Sequence, residues 1–90
     1  MEGRRLILND GTIIENASCG FADGFLWLWF PNFTMQEAIS ILFDANKTMR
    51  IVFEYGEMSD EYTGFTNCVS VNINAENTVS ACLQRGNVNV

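Results

Sequence analysis

Histidine is missing from all 90 residues, and that absence alone removes much of ordinary enzyme chemistry. Without imidazole there is no Ser–His or Cys–His nucleophile pair, and no general base of the usual near-neutral kind. Cys19, Cys68 and Cys82 form no Cys-x-x-Cys pair, so no zinc-type ligand set exists either. Cations are scarce as well. Arg4, Arg5, Lys47, Arg50 and Arg85 are dispersed against eleven acidic residues, giving a net charge of −6. Direct nucleic-acid binding needs clustered Lys and Arg to displace counterions from phosphates, so nucleic acid is not an expected partner. An anionic membrane surface is disfavoured for the same reason. Glycine-rich phosphate loops and dinucleotide fingerprints are lacking, and no cofactor is expected. Long apolar runs are lacking too. The longest, Phe25 to Phe30, is strand-length, far short of the ~20 residues that span a bilayer. The charged start, Met1-Glu2-Gly3-Arg4-Arg5, leads into only three apolar residues, too few for the core of a signal peptide. A cytoplasmic protein with reduced thiols is the expectation.

What is present suits a single folded domain over residues 1–90, with 86–90 as a loose tail. Hydrophobic residues make up 48% of the chain, enough for one core. Asp10-Gly11 between Leu6-Ile7-Leu8 and Thr12-Ile13-Ile14 predicts a hairpin with a two-residue turn. Residues 15–24 read as a loop, and Phe25–Phe30 as a strand that Pro31 ends. Thr34-Met35-Gln36-Glu37 matches a capping box, with Phe33 and Ala38 placed for a hydrophobic staple. Met35, Ala38, Ile39, Leu42 and Ala45 then form an apolar stripe, predicting one helix over 34–45 with Asn46 as its C-cap. Strands follow at 49–55, 62–73 and 78–83, the first two separated by an acidic turn at 56–61. In this register Val69, Val71 and Ile73 face one way, while Cys68 and Cys82 lie near each other on the opposite face. The expected fold class is α+β. It is a mostly antiparallel sheet of about six strands, a curled sheet or small barrel, with one helix in the order β-β-β-α-β-β-β.

Two groups of residues stand out as candidate partner-binding sites. Phe25, Trp27 and Trp29 project to one face of their strand, and Leu26, Leu28 and Phe30 to the other. One helix covers only one face of a sheet, so the second apolar face either closes on itself or packs against another protein. Large aromatics are the residues most enriched at binding hot spots. The second group is Glu57, Asp60 and Glu61, which with Glu54 form the densest run of carboxylates. Such a run could hold a hard cation, although its spacing does not match an EF-hand, or present a negative patch to a basic protein.

Several short segments resemble a family of small proteins from tail-module regions of phages and prophages of Firmicutes. They are Leu6-Ile7-Leu8-Asn9-Asp10-Gly11-Thr12, the Phe30-Pro31 strand end before a Thr-initiated helix, Leu42-Phe43, and Tyr62-Thr63-Gly64-Phe65-Thr66. The resemblance spans roughly residues 6–66 and implies a phage origin, protein–protein interaction and no catalytic residues. The expectation is therefore a non-enzymatic, tail-associated or accessory assembly module that forms a homo-oligomer or docks on a host or phage protein. An anti-defence protein that inhibits a host immune factor, through its acidic surface or by sequestering a ligand, is the first alternative. A small enzyme is the second.

Overall fold

The computed structural model describes residues 3–86. Eight strands and two short helices follow one another as β1 (Arg4–Leu8), β2 (Ile13–Glu15), β3 (Ser18–Ala22), β4 (Phe25–Pro31), α1 (Met35–Leu42), α2 (Ala45–Thr48), β5 (Arg50–Tyr55), β6 (Met58–Thr63), β7 (Asn67–Ile73) and β8 (Thr78–Gln84). They form two four-stranded sheets of order β2-β1-β5-β6 and β3-β4-β8-β7, with every pairing antiparallel. The mostly antiparallel α+β class holds. The strand count and element order are corrected, because two segments read as loop and turn are strands.

Turn chemistry explains both. Asp23 and Gly24 have φ of 55° and 81° between paired Ala22 and Phe25. Positive φ at both central residues is the geometry that Asp-Gly adopts in a two-residue hairpin, so residues 18–22 fold back on β4 as β3. Likewise only Gly56 and Glu57 turn, with Gly56 at φ 62°, and Met58 already pairs with Tyr55. The expected acidic turn is therefore mostly β6. At the first hairpin Gly11 donates to the Leu8 carbonyl, and Leu8 donates to Thr12 across a three-residue loop. Gly11 at φ 92° ends that loop, one residue longer than the sequence suggests.

The capping box of α1 has both arms: Glu37 N–H donates to Thr34 Oγ1 at 3.1 Å, and Thr34 N–H donates to Glu37 Oε1 at 2.9 Å. The expected helix stops early, however. Phe43 caps α1, and the Asp44 carboxylate captures the Asn46 N–H at 3.0 Å to start α2, so Asn46 lies inside a helix. Ala38, Ile41 and Leu42 form the buried stripe, while Ile39 and Ala45 face outward.

The inner faces of both sheets and the buried side of α1 share one core. Leu6, Leu8, Ile14, Ile51 and Phe53 come from the first sheet, and Leu26, Leu28, Phe30, Val79, Ala81 and Leu83 from the second. Each fully buried Leu or Phe contributes about 1.5–3 kcal/mol relative to exposure. Phe65, in the link from β6 to β7, is also fully buried. Gly86 is tied back by donating to the Gly64 carbonyl at 2.8 Å; the rest of the expected tail lies outside the described residues.

The connectivity repeats. Each half of the chain, β1–β4 and β5–β8, sends its first hairpin to one sheet and its second to the other. The halves meet where β1 pairs with β5 and β4 with β8.

Candidate functional site: the outer face of the β4 sheet

Strand β4 is an interior strand of its sheet, so its two faces have different neighbours. Leu26, Leu28 and Phe30 are buried against the core at 0–1% exposure, as their alternation predicts. Phe25 and Trp27 on the outer face are half-buried, and Trp29 is 39% exposed. The flanking residues on this face are small or polar: Ser18, Gly20 and Ala22 from β3, and Ser80, Cys82 and Gln84 from β8.

The aromatic row makes contacts along and across the sheet. The Trp29 ring reaches across to β3, where a Cβ added to Gly20 would lie 3.8 Å from its Cζ3. Phe25 and Trp27 pack with ring centroids 6.3 Å apart at a tilt of 58°. Cys82, directly opposite Trp27, is only 4% exposed although it lies outside the core cluster.

Charge is divided between the sheets. None of the residues in β3, β4, β7 or β8 is charged. The other sheet carries Arg4, Arg5, Glu15, Arg50, Glu54, Asp60 and Glu61 in its strands. Sorting charges by strand would have revealed this in the sequence, but only once β3 was recognised.

The carboxylates of the second candidate group are not gathered into one constellation. Glu61 accepts from Arg50 Nε at 2.6 Å, and Asp60 accepts from the Tyr55 hydroxyl at 3.0 Å. Glu57 is exposed at the hairpin tip, and Glu54 is paired with Arg5 at 2.7 Å. Successive residues Asp60 and Glu61 point to opposite faces of β6. Among the described residues, no three His, Cys, Asp or Glu side chains are placed to share a metal ion.

The thiols are all pushed toward the neutral form. Burial raises Cys19 to about 12, helped by the Asp60 charge and partly offset by a hydrogen bond with Tyr62. Burial also raises Cys68 and Cys82. The expected placement of the last two on one face is corrected. A β-bulge between Cys68 and Ser70 sets Cys68 opposite Leu83 but Ser70 opposite Cys82. Cys68 therefore faces the core, Cys82 faces outward, and Val69 is the extra residue, 52% exposed. Val71 and Ile73 keep their inward direction.

A second aromatic group was hidden by reading residues 15–24 as a loop. Phe21, half exposed, stacks on Tyr62 at 6.4 Å and meets buried Phe65 edge-on at 5.8 Å. The Arg85 guanidinium covers the Phe65 ring at 4.8 Å. No protein-family model matches the sequence, and no match is found among curated proteins or solved structures. Among the described residues, no helix is long and apolar enough to cross a membrane.

Proposed function

We propose that this chain is a non-catalytic interaction module that docks on protein through the outer face of β3-β4-β8-β7, with Phe25, Trp27 and Trp29 as anchors. The observation that carries the reading is the coincidence of an aromatic row with a sheet devoid of charge, in a chain of net charge −6. Interface centres are depleted in charge and enriched in Trp, Tyr and Phe, and this face has that composition. The protonated thiols add support, since a thiol nucleophile needs a lowered pKa. The resemblance over residues 6–66 supplies the biological setting, a phage- or prophage-encoded tail-associated or accessory protein. An anti-defence role through the acidic hairpin has narrower support, because Glu61 and Asp60 already have partners within the chain.

The test compares the two faces of β4 by urea unfolding of dilute protein. Leu28→Ala should lose about 2–5 kcal/mol, as large-to-small core changes do. Trp29→Ser should lose less than about 1 kcal/mol, in the range of surface changes. Equal losses would assign Trp29 to folding and remove the docking role.

A further inference from the structure

We infer that the corner where β3 meets β6 is a binding site for an alkylated ammonium group, with Phe21, Tyr62 and Phe65 as its aromatic walls and Asp60 as its counter-charge. The site is separate from the outer face of β4 and does not depend on the docking role. Topology assembles it. Phe21 lies opposite Leu26 and Tyr62 opposite Ile51, so both share the core-facing side of their sheets. Both also sit on edge strands and stay partly open to solvent. The three ring centroids form a nearly equilateral triangle with sides of 5.8, 6.2 and 6.4 Å. Phe21 and Tyr62 are 30° from parallel, and each stands at 77° to Phe65. A cation placed 4.8 Å from all three centroids stands about 3 Å off their plane, within the ~6 Å reach of a ring quadrupole.

Two further observations select a cation. The Phe65 ring already holds one, since the Arg85 guanidinium lies over it at 4.8 Å. That resident is weakly anchored. Arg85 is exposed, its Nε donates to the Thr63 carbonyl at 3.3 Å, and among the described residues no carboxylate pairs with it. A better-fitting cation therefore displaces it. Asp60 is the second observation. It lies two residues from Tyr62 on the same face of β6 and opposite buried Phe53, so it points inward at the rim of the sheet. The Tyr55 hydroxyl donates to it at 3.0 Å, but among the described residues no cation neutralises it. Its charge is felt at both Tyr62 and Cys19. Aromatic walls suit a methylated ammonium better than a bare one, which is strongly hydrated. The net charge of −6 draws such a cation in.

Amide NMR shifts of the full chain, titrated with choline to about 50 mM at constant ionic strength, provide the test. Parallel titrations use dimethylbutanol, the neutral isostere of choline, and a short peptide carrying trimethyl-lysine. Expected are saturable shifts at Phe21, Tyr62, Phe65 and Asp60, with choline preferred over the alcohol by about tenfold or more. Asp60→Asn should weaken choline binding about threefold or more, and Arg85→Ala should strengthen it by a similar factor. Both positions are exposed, so the variants stay folded. Tighter binding of the peptide places the ammonium group on a protein side chain, and tighter binding of choline places it on a free small molecule. Equal affinity for choline and the alcohol overturns the site, as does weaker binding by Arg85→Ala or unchanged binding by Asp60→Asn. An absence of shifts in both wild type and Arg85→Ala overturns it as well.

Discussion

Trp29 leans over Gly20 on the neighbouring strand, with its Cζ3 at 3.8 Å from where a Cβ on residue 20 would stand. That is ordinary contact distance, and Gly20 has no positive φ that would demand glycine. Gly20→Ala should therefore fit beneath the indole and stabilise the protein by up to about 0.5–1 kcal/mol, because glycine weakens a strand interior. Gly20→Leu should instead lift the ring and red-shift tryptophan emission. Urea unfolding and fluorescence of the two variants check the pair of outcomes.

Alkaline lability follows from the buried thiol. Cys19 is raised from 9.0 to about 12, so the folded state holds its proton where the unfolded chain has lost it. The sign is that of any raised group: the contribution is complete below pH 9 and is lost as pH rises from 9 toward 12. Tyr62, raised mainly by burial, and Tyr55, raised mainly by its hydrogen bond to Asp60, act in the same direction. Urea midpoints should hold level to about pH 9 and then fall, and Cys19→Ala should flatten part of that fall. An identical slope in the variant would show that the Cys19 thiol does not govern it.

Cys68 and Cys82 should not join under mild oxidation. They occupy adjacent strands, but the bulge at Val69 turns one inward and the other outward. A disulfide needs its Cβ atoms about 3.5–4.5 Å apart and its side chains converging. Mass spectrometry after alkylation of the unfolded, oxidant-treated protein should find three free thiols per chain. An intramolecular Cys68–Cys82 bond would contradict this register.

Among the described residues, the fully buried Thr48 hydroxyl, at the last residue of α2, has no hydrogen-bond partner. An unsatisfied buried polar group carries a desolvation cost of about 1–3 kcal/mol. Thr48→Val keeps the branched shape and removes the hydroxyl, so the midpoint of urea unfolding should rise. Thr48→Ser, which keeps the hydroxyl and opens a cavity, should lower it.

Local chemistry made part of this fold legible. Thr34 and Glu37 announced the start of α1, and the alternation in Phe25–Phe30 assigned both faces of β4 correctly. The misses were of two kinds. Asp23-Gly24 carried a sharper hairpin signal than Asp10-Gly11, yet β3 lies among glycine, serine and alanine with little apolar alternation. The parity of Cys68 is a different matter, since a bulge is a property of the pairing with β8 and not of β7 alone. The outer face of β4 was visible in its aromatic row but not in its lack of charge, which emerges only when β3 and β7 are set beside β4 and β8. The acidic group was legible as composition only. Its partners, Arg50 and Tyr55, sit on the adjacent strand across a turn placed too wide.

The repeated connectivity gives the two halves of the chain equivalent places in the two sheets. Residues 4–31 and 50–84 are joined only through the segment bearing α1 and α2, and each half completes both sheets of the other at the β1/β5 and β4/β8 seams. The architecture thus sets two four-strand pieces of like connectivity against each other within one polypeptide. The helical segment fixes which pair of pieces belongs together.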